Sequence, residues 1–195
     1  MIPFIGLTGG IGAGKSTALD ALERLGAASL STDAVVHELY ESDDVRDAVV
    51  GRFGPGVLSG GAIDRAALAE LAFGADGGRA WLEQLLWPRV GARVAAWRGT
   101  LADRTPSPRA AVVEVPLLFE SGMESIFDAT IAVITEEETR HRRASERGHQ
   151  ALDERAARQL SQQEKSQRAT YTVVNDGTVA DLERKLSTIL EMLQK

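Results

Sequence analysis

Eight residues near the start of the chain carry the clearest chemistry. Gly9-Gly10-Ile11-Gly12-Ala13-Gly14-Lys15-Ser16 fits G-x-x-x-x-G-K-[ST] at every fixed position. Glycines let the backbone curl until successive N–H groups converge on phosphate oxygens. A helix beginning near Lys15 adds the positive end of its dipole. Lys15 reaches toward β and γ phosphates, the Ser16 hydroxyl suits Mg²⁺, and Thr17 suits the α phosphate. A dinucleotide site fits poorly, because Lys15 stands where G-x-G-x-x-G needs its third glycine. The competing reading is a glycine-rich turn with no ligand, but such a turn needs neither four glycines nor the lysine.

Phosphoryl transfer also needs a carboxylate for the acceptor hydroxyl and cations for the moving phosphoryl group. Asp33 is the candidate carboxylate, just past a second strand; on local sequence alone it reads as a helix N-cap. The cations lie at 136–147, where Arg140, Arg143 and Arg147 share one helical face. Glu136→Arg140 and Glu138→Arg142 are i,i+4 ion pairs, which read Arg140 and Arg142 as solvated surface. Arg143 and Arg147 are like charges at i,i+4, and an anion between them would reverse that repulsion. Arg155 could complete a lid. Glu114 could serve a metal-bound water or be a strand-end charge. Residues 116–120, Pro-Leu-Leu-Phe-Glu, could line an acceptor pocket or simply pack. Asn175 could meet an adenine, or Asn175-Asp176-Gly177 could be a turn. His37, His141 and His149 lack metal-ligand spacing, and Trp81, Trp87 and Trp97 read as packing.

A guanine-reading switch lacks its motifs: the only asparagine is Asn175, and no Asp-x-x-Gly occurs. A nucleoside or nucleotide kinase of the same fold and a non-kinase nucleotide switch stay open as alternatives.

The elements that must hold these residues alternate. Residues 2–7 form an apolar run suited to a buried parallel strand, and 15–25 follow with helical spacing. Strands are expected at 27–30, 110–115, 128–134 and 171–174. Helices are expected at 33–40, 136–147, 152–167 and after Thr178. The stretch 43–104 reads as helical, broken at 51–61, 74–78 and Pro88, with Asp64 as an N-cap. Strands separated by helices imply an α/β fold with a parallel sheet.

Composition bounds the rest. The chain has 195 residues, no cysteine and a net charge of -6. Thiol chemistry and cysteine metal sites are excluded, and an acidic chain does not coat nucleic acid. No apolar run approaches the roughly 18 residues of a membrane span. The N-terminus reads as a strand and not a leader. The expectation is a cytoplasmic monomer with no membrane or nucleic-acid partner.

The strings Leu7-Thr8-Gly9-Gly10-Ile11-Gly12-Ala13-Gly14-Lys15-Ser16-Thr17, Asp33-Ala34 with His37-Glu38-Leu39, and Pro116-Leu117-Leu118-Phe119-Glu120-Ser121-Gly122-Met123 together resemble the dephospho-CoA kinase family. Arg143, Arg147, Arg155, Gln159, Glu164-Lys165 and Asn175-x-Gly177 extend the likeness over nearly the whole chain. The resemblance implies a P-loop kinase fold, with a five-stranded parallel sheet in the order 2-3-1-4-5. It divides the chain into a core (about 1–40, 108–135 and 169–195), a helical acceptor-binding insert (about 41–107) and a lid (about 136–168). It implies ATP- and Mg²⁺-dependent phosphorylation of the ribose 3′-hydroxyl of dephospho-CoA. Thr8 and Asp33 would then lie next to the acceptor, with Asp33 as base. Lys15, Arg143 and Arg147 would face phosphates, and Asn175 the adenine. The chain departs from the family at Ser31, where an acidic residue is usual, and at Trp87-Pro88, where His-Pro is usual.

Overall fold

A computed structural model describes residues 1–146 and 159–194. In chain order its main elements are β1 (Phe4–Gly9), α1 (Lys15–Arg24), β2 (Ala28–Ser31), α2 (Thr32–Glu41), α3 (Asp43–Phe53), α4 (Arg65–Gly74), α5 (Gly78–Thr100), β3 (Ala111–Glu114), β4 (Ala129–Ile134), α6 (Glu137–Glu146), α7 (Gln162–Arg168), β5 (Tyr171–Val174) and α8 (Val179–Leu193). The chain forms two compact units, Met1–Ser31 with Thr100–Lys195, and Thr32–Gly99.

The first unit is the parallel sheet with its helices. Its strands run β2-β3-β1-β4-β5, which is the expected order 2-3-1-4-5. β1 is buried along its whole length because both of its faces are covered. Ile5 and Leu7 point into a cluster with Leu19 and Leu22 of α1 and Leu182, Leu186, Ile189 and Leu190 of α8. Fully burying each such side chain contributes roughly 1.5–3 kcal/mol. On the other face Phe4 stacks on Phe127 with ring centroids 4.6 Å apart. Gly6 faces the same way, and a Cβ there would press on Phe127 and Leu118. α8 starts where expected: Thr178 and Asp181 form a capping box. Among the described residues no helix is long and apolar enough to cross a membrane.

The second unit is helical with one small hairpin, Leu58–Ser59 against Ala62–Ile63. Gly60 and Gly61, both at positive φ, turn it; the sequence reading treats this stretch only as a break. Asp64 caps α4 by accepting from the amides of Ala66 and Ala67, as expected. Pro88 does not interrupt the chain as expected but lies inside α5. A mid-helix proline costs about 3 kcal/mol. Leu86, Val90 and Val94, all buried on one face of α5, outweigh it at roughly 1.5–3 kcal/mol each.

Of the helix expected at 152–167, residues 152–158 lie outside the described residues, and the remainder differs from the expectation. Residues 159–161 are not helical, and α7 begins at Gln162, capped by Ser161 with Glu164 as its reciprocal partner. The S-x-x-E signature of such a box is legible in the sequence.

Candidate active site

The glycine loop leaves the end of β1 and enters α1, as a phosphate cradle requires. Gly14 is the N-cap of α1 at φ 93° and Gly12 stands at φ 82°. Both are left-handed conformations that side chains avoid. Both sites are also crowded: a Cβ on Gly12 would collide with the Arg140 carbonyl, and one on Gly14 with the Asn175 amide nitrogen. Ala13 is fully buried and its N–H closes a turn onto the Gly10 carbonyl at 3.2 Å. Ile11 is half-buried over that turn, and Thr17 is half-buried on α1. Lys15 Nζ donates to the Gly10 carbonyl at 3.3 Å. Ser16 is exposed and its hydroxyl has no side-chain partner among the described residues.

Replacing Gly14 with alanine is therefore expected to cost about 2 kcal/mol or more, combining left-handed strain with the clash at Asn175. Thermal melts should fall, and ATP titration should weaken at least roughly tenfold if the loop binds phosphate. Unchanged ATP affinity would separate the loop from nucleotide binding.

Two arginines of α6 reach the loop or the residue that braces it. Arg143 Nη1 donates to the Asn175 carbonyl at 3.3 Å. Arg140 requires a correction. Its side chain is only 20% exposed, it pairs with Glu137 and not Glu136, and its Nη1 lies 3.5 Å from the Ile11 carbonyl. It is a loop contact and not solvated surface. The i,i+4 spacing does not show this, because the docking of α6 onto the loop is a tertiary event. Arg147 and Arg155 lie outside the described residues.

Asn175 ties these parts together from below. It is buried, and its Nδ2 donates to the Ala13 carbonyl at 2.9 Å. One N–H of its amide is thus committed to the loop backbone. Next to it, the Asp176 carboxylate accepts from the Glu136 amide at 2.8 Å and from the Thr135 hydroxyl at 2.5 Å, which sets the start of α6. The sequence reading gives Asp176 only a place in a turn.

Thr8 is completely buried. Its hydroxyl donates to the Pro116 carbonyl at 3.3 Å and accepts from Lys165 Nζ at 3.4 Å. Lys165 is also fully buried, with its ammonium 2.8 Å from the Glu120 carboxylate. Burial pushes the Lys165 pKa below its ordinary value; Glu120 opposes that shift, and nearby Arg168 adds to it. The sequence places both partners within family-like strings but gives neither of them a role. Only the full burial of Lys165 marks the pair, and a lysine gives no local sign of being buried.

Asp33 lies in the first turn of α2, which starts at Thr32, so Asp33 is not the N-cap. It is exposed, and its carboxylate has no side-chain partner among the described residues. Glu114 is buried at the end of β3, in register with Leu7 and Ser31. Trp87 is 49% exposed on α5 beside Glu83, Gln84 and Pro88. His37 is exposed and contacts Arg65. Among the described residues no cluster of three or more histidines and carboxylates could hold a metal.

A glycine loop of this pattern at the end of the central strand, in a parallel sheet of this order, defines the P-loop kinase fold. The family model described as Dephospho-CoA kinase matches residues 3–181, and the chain belongs to that family. A dephospho-CoA kinase of Deinococcus radiodurans is 38% identical over 193 residues, 97% of this chain and 92% of its own length. Among solved structures, TT1252 from Thermus thermophilus matches with a TM-score of 0.83 and 33% identity over 98% of both chains. The dephospho-CoA kinase from Campylobacter jejuni matches with a TM-score of 0.71 and 26% identity, covering 100% of this chain and 98% of its own.

Proposed function

We propose that the protein transfers the γ-phosphoryl group of ATP to the ribose 3′-hydroxyl of dephospho-CoA, giving CoA and ADP. The observation that carries this reading is the loop 9–16, with its glycine backbone and Lys15, with Arg140 on the Ile11 carbonyl, and with Arg143 on the carbonyl of Asn175, the residue that braces the loop. A polyanionic phosphate chain is the ligand such a cradle suits. Family membership supports the acceptor.

In the reaction the 3′-oxygen bonds to the γ-phosphorus, and the bond to the β–γ bridging oxygen breaks. The loop amides and Lys15 hold the β and γ phosphates, while Arg143 and Arg147 take up charge on the moving group. Thr17 holds the α phosphate. The fit of Mg²⁺ rests on Ser16, whose exposed hydroxyl has no side-chain partner among the described residues. One protein oxygen plus substrate phosphates is a usual Mg²⁺ environment, and the ion would neutralise phosphate charge there. Asn175 serves by bracing the loop. Residues 41–107 act as acceptor-binding insert and 136–168 as lid.

Asp33 takes the proton of the attacking hydroxyl. It stands two residues beyond β2 in the chain, and no side chain among the described residues competes for its carboxylate. Asp33→Asn is expected to lower kcat by roughly 10²-fold with KM for ATP nearly unchanged. An unaltered kcat would leave Asp33 only a favourable charge at the start of α2.

The direct test supplies ATP, Mg²⁺ and an acceptor panel of dephospho-CoA, nucleosides, nucleoside monophosphates and shikimate. Conversion of dephospho-CoA to CoA is expected. No turnover of it, or preference for another acceptor, would overturn the assignment.

A further inference from the structure

Lys165 forms a junction that the loop chemistry does not account for. Its ammonium has three N–H donors and meets three acceptors: the Thr8 hydroxyl at 3.4 Å, the Pro116 carbonyl at 2.9 Å and the Glu120 carboxylate at 2.8 Å. Thr8 is the last residue but one of β1, immediately before the phosphate loop. Pro116 and Glu120 belong to the loop that follows β3. The same Glu120 carboxylate also accepts from the backbone amide of Leu160 at 2.8 Å, where the chain enters α7. One buried cation therefore joins the strand that carries the phosphate loop, the loop after β3, and the entry to α7.

We propose that Lys165, with Glu120, is a positioning pair for phosphoryl transfer, holding the end of β1 in register with loop 116–120 and with the entry to α7. The inference rests on the kinase reading given above. Lys165 touches no reacting atom in this role and acts through Thr8, Pro116 and Glu120, the last of which holds Leu160.

Stability alone is a poor reason to keep such a pair. Apolar or neutral replacements of a buried ion pair are often as stable as the original, whereas removing one partner is not. Geometry is a better reason. Misplacing reacting groups by about 1 Å costs roughly 10²-fold in rate. The charged pair is directional in a way that a packed methyl group is not, because each of its bonds fixes a specific atom on a different element. Arg168, the remaining charge near the ammonium, stacks over Phe119 at 4.9 Å and pairs with Glu124, so it does not replace Lys165 as the cation that holds Glu120.

The test compares full-length wild type, K165M/E120Q and T8V. The double variant removes both charges together, and the glutamine amide oxygen can still accept from the Leu160 amide. T8V leaves the Lys165–Glu120 pair intact and removes both hydroxyl bonds that tether β1 to the junction, the one from Lys165 and the one to Pro116. Both variants are expected to melt close to wild type. For the double variant, kcat should fall at least roughly tenfold while KM for ATP stays within about twofold. For T8V a smaller fall, about fivefold, is expected. Either variant, folded and with kcat within about twofold of wild type, would overturn the positioning role. Should the double variant fail to fold, T8V alone decides. Wild type without dephospho-CoA turnover would instead overturn the proposed function. Amide exchange at residues 117–120 and 160, faster in the variants if the junction positions these segments and unchanged if it does not, decides the inference in that event.

Discussion

Lys15→Met is expected to reduce kcat by roughly 10²–10³-fold while leaving the fold intact. The magnitude follows from removing one fixed positive group from a site where charge moves onto the β–γ bridging oxygen. Methionine keeps most of the length of the stem, which packs near Gly9, and loses the ammonium. In the structure that ammonium donates to the Gly10 carbonyl at 3.3 Å. Such a contact contributes about 1 kcal/mol, so thermal melting should shift little. The measurement is steady-state kinetics against both substrates, with a melt as control. A folded variant with kcat within about threefold of wild type would remove Lys15 from the chemistry.

Lys165→Met should have the largest effect on stability. Lys165 has no exposed side-chain surface and Glu120 is only 14% exposed. Without its partner, the Glu120 carboxylate is left as an uncompensated charge, which costs about 3 kcal/mol or more. For a domain of this size that corresponds to a fall of roughly 6–12 °C in Tm. The pH dependence has a definite sign. Burial lowers the Lys165 pKa in the folded chain, so between that value and the ordinary one near 10.4 the unfolded chain holds more protons. Stability from this group therefore rises as pH climbs through that window and levels off above it. Urea unfolding of wild type against K165M/E120Q, at neutral pH and near pH 9.5, should show wild type gaining on the variant. A gap that is constant with pH, together with an unchanged melt for K165M, would mean that the buried charge carries no such cost.

The parts of the site that can be read from the sequence are those whose logic is local. The glycine loop, the strand before it and the helix after it occupy one short stretch, and the caps at Asp64 and Thr178 depend on residues two or three positions away. The alternation of strands and helices suffices for the parallel sheet. What escapes depends on partners distant in the chain. Asn175 braces Ala13 from 162 residues away, and Lys165 meets Thr8 across 157. No periodicity encodes either contact. Arg140 misleads because helical spacing offers a solvent-side partner, while the docking of α6 against Gly12 decides its surroundings. Pro88 misleads because its local cost is offset by burial that only the folded unit provides.

All three tryptophans of the chain, Trp81, Trp87 and Trp97, lie on α5 within the unit Thr32–Gly99. The sheet unit carries no indole, so intrinsic emission is a natural optical label for one half of the molecule. Far-UV circular dichroism, by contrast, sums the helices of both. Coincidence of the two unfolding curves thus measures whether the chain melts as a single cooperative body, with no added dye or engineered reporter.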